Sequence, residues 1–182
     1  QRRGSGRSGE LGVYRPGPEI TDRSALRLTA DQMVEVRFEL GLPARGRRVL
    51  GREAVALLVD DTQRAAECLR SGPGLAEHVR SVVDQCALRS ALGDRGLVAF
   101  VANGSVLPRQ SGVSQAPLPD AVRFVSPPSL EHTLPTPSGP VIGMGIPEGV
   151  TLIVGGGFHG KSTLLQAIQR GHLDHTPGDG RE

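Results

Sequence analysis

The fold is decided by the stretch VTLIVGGGFHGKSTLLQAIQRG, which covers residues 150–171. Its first five residues, 150–154, form a short β-branched run that is typical of a buried parallel strand. Residues 155–162 then match the pattern G-x-x-x-x-G-K-S/T of a phosphate-binding loop. Residues 163–170 contain neither Pro nor Gly and predict a helix, for which Gly171 is a suitable C-terminal cap. The stretch therefore predicts a strand, a phosphate-binding loop and a helix in that order.

The residue types of this loop suit a nucleotide triphosphate. Glycines let the backbone curl so that N–H groups point inward, and the helix N-terminus adds partial positive charge. We expect Lys161 to act as the catalytic residue at the β- and γ-phosphates of ATP, and the Ser162 hydroxyl to bind Mg²⁺. The predicted nucleotide contacts all lie in the loop and the first turn of the helix: Gly155, Gly156, Gly157, Phe158, His159, Gly160, Lys161, Ser162 and Thr163.

Lys161 is also unusual in this composition. It is the only lysine among 21 basic residues, and the remaining 20 are arginines. A slim, flexible ammonium group and a planar guanidinium group are not interchangeable where a single mobile charge must reach a phosphate. The one retained lysine therefore supports the phosphate-binding interpretation.

Several neighbouring residues have two open interpretations. The His159 imidazole either donates to a phosphate or points to solvent, and Phe158 is interpreted as a packing residue rather than a base stacker. Residues 172–182 contain two His and two Asp, which allows a metal site, whereas Pro-Gly-Asp-Gly at 177–180 is typical turn chemistry. Asp179 or Arg181 in this segment also remains a candidate neighbour of the nucleotide.

The chain as a whole is predicted to be of the α/β class, with a mixed α+β N-terminal portion before an incomplete P-loop NTPase domain. Strands are predicted at 34–40, 97–102 and 121–125, and helices at 52–70 and 75–92. Five prolines at 126–140 mark the predicted domain boundary. The predicted segments are a tail at 1–33, a mixed segment at 34–125 with a helical hairpin at about 52–92, a linker or irregular edge at 126–140, and the nucleotide-binding core at 141–182.

Charge and composition narrow the possible partners. The net charge of +2 is too small to indicate nucleic-acid binding by itself, although Arg45, Arg47, Arg48 and Arg52 form either a phosphate-contacting cluster or a solvated loop. The glycine-rich residues 4–9 form either an anion-binding nest or a flexible end. Without a long apolar run or a signal peptide, the sequence predicts no membrane span and a cytoplasmic location. Cys68 and Cys86 are predicted to be buried small hydrophobes.

The sequence resembles a bacterial family described as predicted ATPases of the ABC class. The resemblance rests first on residues 145–165 and 175–182, which include the loop and the HTPGDGRE tail. Similar segments continue upstream, so that the resemblance covers nearly the whole chain: 3–9, 36–48, 97–109 and 111–114. One departure is Phe158, because the usual ABC loop carries Gly at that position.

The resemblance implies an ABC-type nucleotide-binding domain that binds ATP and Mg²⁺, hydrolyses ATP to ADP and phosphate, and forms a homodimer. Hydrolysis in such domains needs a carboxylate-bearing strand and a second glycine-rich motif, and neither fits into the 21 residues that follow Lys161. We therefore expect the chain to be an internal fragment of a larger enzyme and to be inactive alone. The alternatives are an ATP-gated nucleic-acid (RNA) binding protein and a nucleotide sensor that does not hydrolyse ATP.

Overall fold

A computed structural model describes residues 8–12, 16–31, 33–70 and 74–182. Its strands, in chain order, are β1 (Leu11–Gly12), β2 (Glu19–Ile20), β3 (Leu26–Leu28), β4 (Val34–Val36), β5 (Glu39–Leu40), β6 (Ala44–Arg45), β7 (Arg48–Val49), β8 (Leu97–Ala102), β9 (Arg109–Ser111), β10 (Ser114–Pro117), β11 (Glu131–Thr136), β12 (Gly139–Pro147) and β13 (Asp174–His175). Its α-helices are α1 (Gly51–Ala56), α2 (Thr62–Arg70), α3 (Leu75–Asp94) and α4 (Lys161–Arg170). The predicted mixed α/β class is confirmed.

The chain divides into two compact units. The first contains residues 1–15 and 22–73, and the second contains residues 16–21 and 74–182. The helices of the predicted hairpin both exist, but they belong to different units, and their packing against each other stays a prediction. The predicted boundary at 126–140 does not separate the units, because β12 pairs with β8 across it. The predicted nest at residues 4–9 lies largely outside the described residues.

The first unit consists of short antiparallel ladders and a helical run. The ladders pair β1 with β5, β3 with β4, and β6 with β7. The predicted strand at 34–40 is therefore wrong as a single element, because β4 and β5 pair with different partners. The helical run from α1 to α2 contains a π-helical segment at Leu57–Asp61. It buries Ala54 and Leu57, whereas the neighbouring Val55 and Leu58 are exposed.

The second unit is built on an antiparallel sheet of order β11-β12-β8. Val101, Leu107, Met144 and Ile146 form its buried core. Residues 126–140 are not a linker, because β11 and β12 form a regular hairpin there. The alternative prediction, an irregular edge, is right in that β11 is an edge strand, but its pairing is regular. Pro135 faces Pro140 in this hairpin, at the end of β12 that lies beyond its pairing with β8. Proline is tolerated at such edges because no ladder hydrogen bond from its nitrogen is lost.

Two other predicted strands are absent from the ladders of the described residues. Residues 121–125 belong to no ladder, although Phe124 forms backbone hydrogen bonds with Gly104 and Ser105. Residues 150–154 also belong to none, and Val150, Leu152 and Val154 are exposed there. A β-branched run becomes part of a sheet only when it hydrogen-bonds to a neighbouring strand, and none of the described strands pairs with residues 150–154. Among the described residues, no helix is both long and apolar enough to cross a membrane.

Candidate functional site

The glycine-rich loop ends where α4 begins. Gly160 adopts the left-handed conformation, with φ of 77°, and forms the N-terminal cap of the helix. Its carbonyl accepts the first helical hydrogen bond, from the Leu164 N–H at 2.9 Å. Glycine adopts the left-handed conformation without strain because it has no Cβ, so Gly160 lets the chain turn sharply from the loop into the helix. Lys161 is thereby the first residue of α4.

Lys161 closes the loop upon itself. Its ammonium group donates to the Gly155 carbonyl at 2.8 Å and also to the Gly156 carbonyl. Both carbonyls lie at the start of the loop, so the side chain spans the loop from its end to its beginning. Both carbonyls are neutral, so neither of them balances the positive charge of the Lys161 ammonium. The position of the ammonium is therefore suited to exchanging the carbonyls for an anion.

Residues 155–160 are all exposed, and their backbone carries unusual torsion angles. Gly155 has φ of 149° and Phe158 has φ of 62°, which for a bulky residue is a strained conformation. The Phe158 ring is fully exposed, so its interpretation as a packing residue is wrong. The His159 ring lies over the glycines: a Cβ on Gly156 would lie 3.2 Å from its Cε1 atom. The glycines therefore leave room for the imidazole beside the loop.

Helix α4 offers unpaired amides at this same end. Among the described residues, no side chain caps its first turn, to which Lys161, Ser162 and Thr163 belong. The Ser162 side chain is exposed next to Lys161. Further along, Leu164, Ala167 and Ile168 follow helical spacing and pack against the core of the second unit. The apolar face of the helix thus packs on the core of the second unit while its first turn stays open.

The tail after α4 forms the predicted turn, but it is also a buried polar cluster. Gly178 and Gly180 have φ of 83° and 81°, as turn glycines do. The carboxylate of Asp179 pairs with Arg109 of β9, with 2.8 Å between Oδ2 and Nη2, and with His175, with 2.7 Å between Oδ2 and Nδ1. Asp179 is therefore enclosed by protein groups. Sequence reasoning missed Arg109, because no spacing rule relates it to a residue 70 positions away.

Arg181 extends this cluster. Its Nε and Nη2 atoms donate to the Leu107 carbonyl at 3.1 and 2.6 Å. Burial and, after it, the positive charge of Arg109 lower the pKa of the Arg181 guanidinium. The Val106 N–H donates to the Gly180 carbonyl at 2.7 Å, which ties the tail to the chain that follows β8. Asp179 and Arg181 therefore form their contacts inside the second unit, with Arg109 and with the Leu107 carbonyl.

The arginine cluster of the first unit lies on the β6–β7 hairpin and the start of α1. Arg45, Arg47, Arg48 and Arg52 are exposed. Cys68 and Cys86 are also exposed, so the prediction that they are buried is wrong.

Comparison with known proteins places both units in one family. A family model described as the P-loop domain of ABC ATPases matches residues 72–182. A second model, described as the N-terminal region of ATPases of the ABC class, matches residues 1–70. An uncharacterized protein of Methanocaldococcus jannaschii is 34% identical over 121 residues, which is 59% of this chain and 26% of that relative. The match thus spans about a quarter of the relative's length.

Proposed function

The chain belongs to the family of P-loop ATPases of the ABC class, and on that premise we propose that residues 155–163 bind the phosphates of ATP. The observation that carries the proposal is the position of Lys161. Its ammonium lies across a glycine loop at the open N-terminus of α4 and donates to the carbonyls of Gly155 and Gly156. A phosphate is a stronger partner for this cation than a neutral carbonyl, because it adds the attraction between two opposite charges to the hydrogen bond.

Binding follows from three groups at one place. Backbone amides of the loop and of the first helical turn donate to phosphate oxygens, and the helix dipole favours their negative charge. Lys161 moves from the loop carbonyls to the β- and γ-phosphates. Residues 149–160 contain no acidic side chain, so no nearby carboxylate of the loop repels the ligand. His159, whose ring lies beside Gly156, is a further candidate donor to a phosphate oxygen.

Magnesium fits the donor set of this site. The exposed Ser162 hydroxyl follows Lys161 directly and supplies the kind of oxygen ligand that Mg²⁺ accepts next to phosphate oxygens. When bound, Mg²⁺ neutralises charge on the phosphates. Lys161 and the loop amides then orient the terminal phosphate and stabilise the charge that develops on it.

We further propose that the protein hydrolyses ATP to ADP and phosphate, as a homodimer and in the cytoplasm, where ATP is supplied. The support is family membership, not a feature of the loop alone. A Lys161-dependent release of phosphate by the full-length protein supports this proposal. ATP binding without any release of phosphate favours a nucleotide sensor instead.

Calorimetric titration with Mg-ATP tests the binding site. We expect Lys161→Ala to weaken binding about 10- to 100-fold, since a hydrogen bond to a charged group contributes about 1.5–3 kcal/mol. Arg45→Ala is the matched control, because it removes one exposed positive charge from the other unit and leaves the loop unchanged. Equal affinities of the wild type and Lys161→Ala contradict the proposal. Equal weakening by both variants indicates attraction by net charge instead of a site.

A second candidate function is nucleic-acid binding through the β6–β7 hairpin. Its support is the set of exposed guanidinium groups of Arg45, Arg47, Arg48 and Arg52, which suit a phosphate backbone. Binding of a fluorescent single-stranded RNA should weaken steeply with salt, and Arg47→Ala combined with Arg48→Ala should reduce the salt slope by about 1–2. Arg64→Ala is the control, because that arginine is paired with Asp61. Salt-independent binding, or a slope unchanged by the double substitution, contradicts this function.

A further inference from the structure

The imidazole of His159 lies against the second glycine of the phosphate-binding loop. A Cβ atom on Gly156 would lie 3.2 Å from Cε1 of the ring and 3.5 Å from each of its two nitrogens. Non-bonded carbon atoms pack best at about 3.5–4.0 Å, so the ring takes the space that a side chain at residue 156 would need.

The backbone conformation of Gly156 does not by itself require glycine. Gly155 has φ of 149° and Gly160 has φ of 77°, whereas φ of Gly156 and of Gly157 is not positive. A Cβ on Gly157 would meet no atom of the described chain within 4 Å. The contact with the His159 ring therefore distinguishes Gly156 from the glycine that follows it.

Two left-handed residues determine where the His159 side chain lies. Phe158 before it has φ of 62°, and Gly160 after it has φ of 77°. The chain thereby brings the ring back over residues 155 and 156, at the start of the same loop. Left-handed conformations of bulky residues are strained, and such strain is concentrated at ligand-binding and active sites. The strain at Phe158 is thus coupled to the placement of the imidazole.

The Lys161 side chain uses the same two glycines. Its ammonium group donates to the carbonyls of Gly155 and Gly156. A Cβ on Gly155 would lie 3.8 Å from Nδ1 of His159 and 3.9 Å from Cδ of Lys161. The imidazole and the lysine side chain therefore lie side by side over the start of the loop, and the exposed ring can reach the ligand that the lysine binds.

An imidazole can donate to a phosphate in either protonation state. The neutral ring carries one N–H group and the protonated ring carries two. Amides of the loop backbone can reach only the phosphates that the loop surrounds, whereas two side chains that extend past the backbone can reach a phosphate farther out. Lys161 and His159 are these two side chains.

We propose that His159 contacts the terminal phosphate of ATP and makes the loop prefer ATP to ADP, and that residue 156 is glycine so that the ring can take this place. The inference rests on the proposed function of the loop. ADP lacks the terminal phosphate, so the contact of His159 contributes to the binding of ATP alone.

Calorimetric titrations of the full-length protein with Mg-ATP and Mg-ADP test the role of the ring. We expect His159→Ala to weaken ATP binding about 10-fold and ADP binding less than about 2-fold, since one hydrogen bond to a charged group is lost only with ATP. Retained ADP binding shows that the loop of the variant is folded. His172→Ala is the matched control, because His172 is also an exposed histidine but contacts the Gln169 carbonyl, at 2.9 Å, at the other end of α4. Its ratio of ATP to ADP affinity should equal that of the wild type.

A double-mutant cycle tests the role of Gly156. Gly156→Val fills the space of the ring, so it should lower the ratio of ATP to ADP affinity about 5- to 10-fold when His159 is present and have little effect on that ratio in His159→Ala. Gly157→Val is the matched control, because a Cβ there would not meet the ring. Its effect on the ratio, whatever its size, should be the same with and without His159.

The outcomes separate this inference from the proposed function. If Lys161→Ala weakens binding but His159→Ala leaves the ratio of ATP to ADP affinity unchanged, the role of His159 is overturned and the ATP site stands. Equal effects of Gly156→Val with and without His159 overturn the role of Gly156. If Lys161→Ala binds ATP as well as the wild type, the ATP site itself fails, and the inference fails with it.

Discussion

Replacing Asp179 by Asn is the most direct test of the buried cluster in the second unit. The substitution keeps the size of the side chain but removes its charge, while Arg109 at 2.8 Å and His175 at 2.7 Å still present donors. If the amide oxygen takes the place of Oδ2, the NH₂ group takes that of Oδ1. The variant therefore leaves the Arg109 guanidinium, 9% exposed, without a counter-charge in the interior.

Removing one partner of a buried ion pair costs about 3–5 kcal/mol, because the remaining charge is left uncompensated. One kcal/mol corresponds to about 2–4 °C in the melting temperature of a protein of this size. We therefore expect Asp179→Asn to lower the melting temperature by roughly 6–20 °C. Thermal unfolding followed by circular dichroism measures the change.

Asp120→Asn is the matched control for this prediction. Asp120 lies in the same unit, is exposed, and has φ of 55°, a conformation that Asn tolerates at least as well as Asp. Its substitution should change the free energy of unfolding by less than about 0.5 kcal/mol. A loss of less than about 1 kcal/mol in Asp179→Asn would refute the assignment of an uncompensated buried charge.

Two further predictions concern backbone conformation. At Phe158, with φ of 62°, we expect Phe158→Gly to be more stable than Phe158→Ala by about 1 kcal/mol, the reverse of the order found in regular helices and strands. An Ala variant as stable as the Gly variant in denaturant unfolding contradicts the strain. Gly180→Ala should destabilise the protein by more than Gly104→Ala, because both have positive φ but only at Gly180 would a Cβ meet another atom, 2.7 Å from Cβ of Val106. Equal losses in urea titrations of the two variants would show that the close contact is relieved at no cost.

Features that depend on local chemistry were predicted well from the sequence. The helix after the loop is found at Lys161–Arg170, and the long helix is found at Leu75–Asp94. The Pro-Gly-Asp-Gly turn and the strand Leu97–Ala102 are also confirmed. In each case the signal is contained in a few neighbouring residues, either through helical periodicity, through a continuous apolar run or through glycines with positive φ.

Features that depend on distant partners were not predicted. Five prolines suggested a linker or an irregular edge at 126–140, yet the strands there pair regularly because Pro135 and Pro140 lie away from the pairing with β8. The run at 150–154 has the composition of a buried strand but forms no ladder among the described residues. Composition records how apolar a segment is, whereas pairing depends on which strands lie beside it.

The sequence by itself determined the residues of the candidate phosphate site. The lone Lys161, the glycines before it and the helix after it are local in the chain, and local chemistry is sufficient to set the conformation of a loop entering a helix. Only the tertiary structure decided the role of the tail. His175 and Asp179 contact Gln85, Arg109 and the end of α4. The burial of a charge depends on such residues, which are distant in sequence and adjacent only in the folded chain.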